Sequence, residues 1–230
     1  MQAVILVGGL GTRLRPITYK IPKHMVRIGN KPFLEYLISM LNRNGINEVV
    51  LCVGYLWEQI RGYFGNGSKL GVKIKYSTEK KLMGTGGAIK GADRHLKDDF
   101  FVIYGDSYLE INYKKLMDFH KKFNKTGVLV VYGNKANTSV KNNVEIDELR
   151  NVVNYSKKNP NRGMEYVDAG VSVFKRSLLK FIPNGKKVSL EEDIFPKLIK
   201  RRELCAFKSR NRFYDIGTMQ RLKAFRQVIS

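Results

Sequence analysis

The sequence predicts an α/β fold, a mainly parallel, Rossmann-like sheet covered by helices, with a smaller mixed or antiparallel sheet inserted in the second half. Three observations carry this expectation. Short β-rich apolar runs alternate with segments of helical period up to about residue 135. The runs are apolar at nearly every position, as strands buried on both faces are. The chain has 230 residues with no low-complexity linker and no internal repeat, which suits one domain spanning 1–230.

Ala3–Val7, Val49–Val53, Phe100–Tyr104 and Val128–Tyr132 are the runs read as strands. Between them, Pro32–Asn44, Trp57–Phe64, Gly86–His95 and Tyr113–Asn124 have helix-compatible spacing, and Gly45 is placed to cap the first of these helices. After about residue 135 the pattern changes. Asn143–Ile146, Val152–Tyr155 and Met164–Phe174 read as strands with short connections, expected to form the smaller sheet. Helical pattern returns at Leu190–Lys200 and Thr218–Ile229.

A hydrophobic content of 43%, with 11% aromatic residues, is enough for a substantial core and excludes global disorder. Lys and Arg number 42 against 20 acids, a formal charge of +22, so anionic partners are expected. Cys52 and Cys205 are too few for a disulfide framework and too far apart for a CxxC pair, which suits a reducing compartment. No run approaches the ~18 apolar residues of a membrane span. Met1–Val7 lacks the basic start of a signal peptide. The expectation is a soluble, cytoplasmic protein. Cys52 reads as a small core residue, and His95 and His120, in polar helical stretches, as surface residues.

The first strand runs into Gly8-Gly9-Leu10-Gly11-Thr12-Arg13-Leu14. Glycines past a buried strand let backbone N–H groups approach a phosphate with no Cβ in the way. The dinucleotide fingerprint fails because Leu14 stands where its third glycine belongs, and no Gly-Lys-Ser/Thr follows to make a Walker loop. What remains is a glycine turn carrying its own cation, Arg13, followed by Pro22-Lys23-His24-Met25 with a second. The plainer alternative is a strand-to-helix turn with surface charges.

Together these segments resemble the sugar-1-phosphate nucleotidyltransferase family, whose N-terminal stretch reads GGxGTRLxPxTxxxPKxM. Gly8, Gly9, Gly11, Thr12, Arg13, Leu14, Pro16, Thr18, Pro22, Lys23 and Met25 match it. The resemblance continues at Gly84-Thr85-Gly86-Gly87-Ala88, Gly105-Asp106, Asp168-Ala169-Gly170-Val171 and Asp215-Ile216-Gly217-Thr218. GTGGAIK with a closing DIGT most resembles the branch that guanylylates heptose 1-phosphates.

The resemblance implies a GT-A-like fold, with residues 1–135 mainly serving the nucleotide and 136–230 mainly the sugar phosphate. It implies that a sugar-1-phosphate oxygen attacks the α-phosphorus of a nucleoside triphosphate, with Mg²⁺ as cofactor and pyrophosphate as leaving group. Positioning and charge neutralisation then carry most of the catalysis. By the same resemblance Arg13 and Lys23 are the catalytic cations, and Asp106 and Asp215 the metal ligands. Leu6, Gly8, Gly9, Gly11, Thr12, Glu79, Gly84, Thr85 and Gly86 would meet the nucleotide, and Asn143, Lys158, Asp168 and Gly170 the sugar phosphate.

The chain departs from the family pattern near the sugar. Lys157 stands where a Glu is expected before Lys158, Asn143 replaces a glycine, and His24 a proline. One of Glu191, Glu192 and Asp193 is expected to touch the sugar. Glu79 stands where the family reads the base; as a carboxylate it would accept both N1–H and the exocyclic amine of guanine, so GTP is expected over UTP. The alternative for Glu79 is a strand-end acid paired with Lys80, Lys81 or solvent. Two other functions remain open at this stage: a UTP- or dTTP-dependent transferase acting on a hexose or MurNAc 1-phosphate, and a basic nucleic-acid-binding module. The latter lacks any helix-turn-helix, RNP or zinc pattern, so no nucleic-acid partner is expected.

Overall fold

The computed structural model describes residues 1–79, 81–134 and 138–229. The expected division at residue 135, and Lys80 as a partner for Glu79, lie outside the described residues. In chain order the first half contains β1 (Gln2–Leu6), β2 (Arg27–Ile28), β3 (Lys31–Pro32), α1 (Phe33–Arg43), β4 (Glu48–Val53), α2 (Trp57–Phe64), β5 (Lys73–Thr78), α3 (Gly84–Gly91), β6 (Asp99–Tyr104), β7 (Ser107–Tyr108), α4 (Tyr113–Phe123) and β8 (Gly127–Tyr132). The rest contains β9 (Val144–Ile146), β10 (Val152–Tyr155), β11 (Val167–Lys175), α5 (Phe195–Lys200), β12 (Leu204–Ser209), β13 (Tyr214–Asp215) and α6 (Met219–Ile229).

Seven strands form one sheet in the order β12-β8-β11-β6-β1-β4-β5. β6, β1, β4 and β5 are mutually parallel, as are β12 and β8. The α/β expectation is met: Ala3 and Ile5 of β1 face the core under α1, α2, α4 and α6, and Val4 faces the core under α3 and α5. β4, β6 and β8 repeat this two-residue alternation. A run apolar at every position is therefore the correct pattern for a sheet packed on both sides. Gly45, at φ +76°, ends α1 as expected.

The expected smaller sheet is corrected in part. β9 and β10 form a separate antiparallel hairpin. β11, expected to join it, lies instead in the main sheet, antiparallel to both β6 and β8. It is buried over nearly its whole length, flanked by a strand on each side. β5 and β12, at the two edges of the sheet, were not anticipated. β5 reads Lys-Ile-Lys-Tyr-Ser-Thr, and charged residues of this kind are how edge strands avoid further pairing.

His120 is also corrected. Its side chain is fully buried on the face of α4 that carries Tyr113, Leu116 and Met117, with Nε2 3.0 Å from Asp99 Oδ1. Burial lowers its pKa, and Asp99 only partly opposes this. No helix among the described residues is long and apolar enough to cross a membrane.

Candidate active site

The parallel strands β1, β4, β5 and β6 deliver their carboxyl ends to one edge of the sheet, where open α/β sheets bind ligands. Gly8 and Gly9 leave β1 there, Gly54 leaves β4, Glu79 leaves β5 and Asp106 leaves β6. Among the described residues, the backbone N–H groups from Gly8 to Arg13 make no hydrogen bond within the chain, so a row of donors lines the turn. Gly11, at φ +64°, makes the bend; a Cβ there would lie 2.9 Å from Cβ of Lys23. Thr18 Oγ1 donates to the Gly11 carbonyl at 2.8 Å and holds the loop down.

Lys23 Nζ forms an ion pair with Asp106 Oδ2. Burial pushes the Asp106 carboxyl upward, but the ammonium outweighs it and the net shift is downward. Gly105 lets β6 turn here, since a Cβ on it would sit 2.4 Å from Val7 Cγ1. Beyond Asp106, β7 pairs antiparallel with β13, Ser107 opposite Asp215, and Ile216 N–H donates to the Asp106 carbonyl at 3.0 Å. This two-strand ladder brings Asp106 and Asp215 together from distant parts of the chain. Asp215 accepts from Arg221 Nη1 and Gly217 N–H, each at 2.7 Å. The Arg13 guanidinium lies against Gly217, where an added Cβ would be 3.2 Å from Nη2.

Among the cavities on this edge, two adjoin beside Asp106. One, of about 360 Å³, is lined by Leu6, Gly8, Gly9, Gly11, Lys23, Glu79, Gly84, Thr85 and Asp106, with His24 and Tyr104. The other, of about 570 Å³, is lined by Arg13, Asn143, Lys157, Asp168, Gly170, Glu191, Asp215 and Arg221. Thr85, Tyr104 and Asp106 line both. Glu79 faces Gly8 across the first cavity: Oε2 accepts Met83 N–H at 3.0 Å, and Oε1 lies 2.7 Å from where a Gly8 Cβ would be. Burial raises its pKa, partly offset by the Met83 N–H. In the second cavity Asn143 Oδ1 accepts Asp168 N–H at 2.9 Å. Asp168 accepts from Tyr155 OH and Gly170 N–H, and burial raises its pKa. Gly170, at φ +75°, packs against Ser107.

Three expected residues are placed differently. Gly86 N–H is bonded to Val188 O at 2.9 Å, and its missing side chain makes room for Val188, so it packs two segments together. Thr12 is exposed and lines neither cavity. Lys158 is at the surface, 74% exposed and paired with Glu192. The residue before it, Lys157, enters the second cavity and bonds Glu191 Oε1 at 2.9 Å. Sequence reasoning also passed over Tyr104, whose partner Glu191 is far along the chain, and Arg221, which reaches back six residues to Asp215. His24 was noted only as a departure; it is 3% exposed, with Nδ1 unpartnered. Burial, then Lys23, lowers its pKa to about 3 against the opposing pull of Asp106, so the imidazole is neutral.

A glycine turn, two cations and two aspartates gather around a double cavity at the carboxyl ends of the parallel strands. The chain belongs to the nucleotidyl transferase family, which it matches over residues 2–229. It is 36% identical over 220 residues to the D-glycero-alpha-D-manno-heptose 1-phosphate guanylyltransferase of Campylobacter jejuni, covering 94% of this chain and 95% of that one. It is 36% identical over 200 residues to the mannose-1-phosphate guanylyltransferase of Mycobacterium tuberculosis, covering 86% of this chain and 55% of that longer protein. The crystal structure of HddC from Yersinia pseudotuberculosis complexed with GMP-PN superimposes with a TM-score of 0.84 at 28% identity, covering 100% of this chain and 99% of that one.

Proposed function

We propose that the protein transfers a guanylyl group from GTP to D-glycero-α-D-manno-heptose 1-phosphate, releasing pyrophosphate. The observation that carries this reading is the pair of cavities meeting at Thr85, Tyr104 and Asp106, one walled by the bare glycine turn and Glu79, the other by Lys157 and Asp168. The Campylobacter jejuni relative, matched over nearly its full length, supports the choice of sugar.

In this reading the first cavity takes the nucleotide. The N–H row from Gly8 to Arg13 receives the phosphates, and Glu79 accepts from the guanine edge. The planar fork of Arg13 stabilises the departing pyrophosphate, and Lys23 supplies a compact charge near the α-phosphate. An oxygen of the sugar phosphate forms the new bond to the α-phosphorus as the bond to the β-phosphate oxygen breaks. That oxygen is already ionised, so no general base is needed. In the second cavity Lys157 meets the sugar phosphate in place of Lys158, and Asp168, with lone pairs to spare, accepts from sugar hydroxyls.

Asp106 and Asp215 would hold Mg²⁺. The donor set fits: two carboxylates beside phosphate oxygens are the hard oxygen ligands Mg²⁺ prefers. When bound, the ion supplies charge stabilisation to the phosphates. Cytoplasmic action is part of the reading. Cys52 and Cys205 are free thiols in the cores on opposite faces of the sheet, a state that a reducing compartment maintains. The product would feed polysaccharide biosynthesis. The test is pyrophosphate release from four nucleoside triphosphates against heptose, mannose and glucose 1-phosphates. GTP with the heptose is expected to have the highest kcat/KM. A preference for UTP or dTTP, or no release with any pair, overturns the assignment.

A further inference from the structure

We propose that Glu191 is a positioning residue that ties the nucleotide cavity to the sugar-phosphate cavity by holding Lys157; the inference rests on the functional reading above. The geometry is a saturated carboxylate. Oε1 accepts from Tyr104 OH at 2.8 Å and Lys157 Nζ at 2.9 Å. Oε2 accepts from Thr85 Oγ1 at 2.7 Å and Ser189 Oγ at 2.9 Å. The two hydroxyls on Oε2 have fixed directions, because Thr85 Oγ1 accepts Leu190 N–H and Ser189 Oγ accepts Glu192 N–H. Four donors fill the ≈ four lone-pair sites of a carboxylate.

The donors come from four separate places. Thr85 is in the first turn of α3 beside Gly84, Tyr104 ends β6 two residues before Asp106, Lys157 follows β10, and Ser189 precedes the π-helical turn Leu190–Ile194. Glu191 is 11% exposed. Burial works to raise its pKa, yet Lys157 together with the Thr85 and Tyr104 hydroxyls brings it down to about 2, so the hub stays ionised. Lys157 is held from a second side as well, 4.9 Å above the Tyr104 ring.

Glu191 has no acceptor left for a sugar hydroxyl. Glu192 pairs with Lys158 at the surface, and Asp193 Oδ2 accepts Ser189 N–H. Neither Glu192 nor Asp193 lines the second cavity, so a sugar contact there falls to Asp168, while Glu191 acts through Lys157. A nucleotide seated against Thr85 and a sugar phosphate drawn to Lys157 meet at the same carboxylate.

The test is a double-mutant cycle of Glu191→Gln and Lys157→Ala, with Glu192→Gln as the surface control. A glutamine keeps the volume but turns one acceptor into a donor, so the four donors cannot all be satisfied. Glu191→Gln should raise KM for the sugar 1-phosphate about tenfold with a much smaller change in kcat, and add less than about twofold on the Lys157→Ala background. Independent effects that multiply, or a Glu191→Gln enzyme that matches Glu192→Gln, overturn the proposal. A second readout needs no turnover: reductive methylation with formaldehyde and cyanoborohydride, followed at Lys157 and Lys158 by peptide mass spectrometry. Glu191→Gln should speed Lys157 labelling several-fold and leave Lys158 unchanged; an unchanged Lys157 rate refutes the tether. If the wild type releases no pyrophosphate from any substrate pair, the functional reading falls, and the labelling still decides whether Glu191 holds Lys157.

Discussion

Glu79→Gln isolates base recognition because the two oxygens of Glu79 are not equivalent. Oε2 is committed to Met83 N–H at 3.0 Å, and Oε1 faces Gly8. A glutamine can keep the Met83 bond only by giving its own oxygen to it, which turns the amide nitrogen toward the base. Guanine N1–H and its amine then face a donor. An unmatched buried polar group costs about 1–3 kcal/mol, and the partial exposure of this site favours the lower half of that range. At 1.4 kcal/mol per decade, a loss of about 1–2 kcal/mol is about 5- to 30-fold in kcat/KM for GTP. Uracil O4 can accept from the new amide, so the GTP-to-UTP ratio should fall further than GTP activity itself. Gly8→Ala should act in the same direction, since its Cβ would sit 2.7 Å from Oε1 and displace the carboxylate. Burial raises the Glu79 pKa, so GTP preference should hold at neutral pH. It should be lost on acidification at a pH above that of an ordinary glutamate, because only the ionised form accepts both donors. The assay is kcat/KM for GTP and UTP at saturating sugar 1-phosphate. An unchanged value for GTP in Glu79→Gln, or a wild type that prefers UTP, refutes the reasoning.

Asp106→Ala and Asp215→Ala should each lower turnover by about two orders of magnitude or more and weaken calorimetric Mg²⁺ binding in the presence of GTP. Near-normal rates at saturating Mg²⁺ would remove the metal assignment. Arg13→Lys keeps the charge but loses the bidentate fork, so it should still cost about tenfold in kcat, with Lys23→Ala costing more; wild-type kinetics in both would sink the phosphate roles. Gly84→Ala combines a φ of +75° with a Cβ 2.4 Å from the Val188 carbonyl, which also accepts from Gly86 and Gly87. Urea unfolding should show a loss of about 2–4 kcal/mol, and a loss below about 0.5 kcal/mol would contradict the packing described.

Much of this protein was legible in the sequence because much of it is encoded locally. β1, β4, β6 and β8 are continuous apolar runs, and burial on both faces of a sheet leaves that mark wherever the strand ends up. The glycine turn after β1 announces itself because Gly8 and Gly11 stand where a Cβ would collide with Glu79 and Lys23. His120 was equally local: its spacing of three, four and seven residues from Met117, Leu116 and Tyr113 marks the buried face of α4, and only its polarity concealed it.

Other features depend on which segments meet, and no local pattern records that. β11 has the same buried composition whether it pairs within a small sheet or between β6 and β8; the sheet order decided it. Asp106 and Asp215 become neighbours through the β7–β13 ladder, and Glu191 becomes a hub because three distant donors converge on it beside the local Ser189 hydroxyl. The choice of Lys157 over Lys158 shows the reason most clearly. The two lysines stand in a bend after β10, where no strand alternation assigns sides, and each is drawn to a different acid, Lys157 to Glu191 and Lys158 to Glu192. The sequence determined that a lysine pair stands there; only the packing of the segment after β10 against Glu191 decided which lysine faces the second cavity.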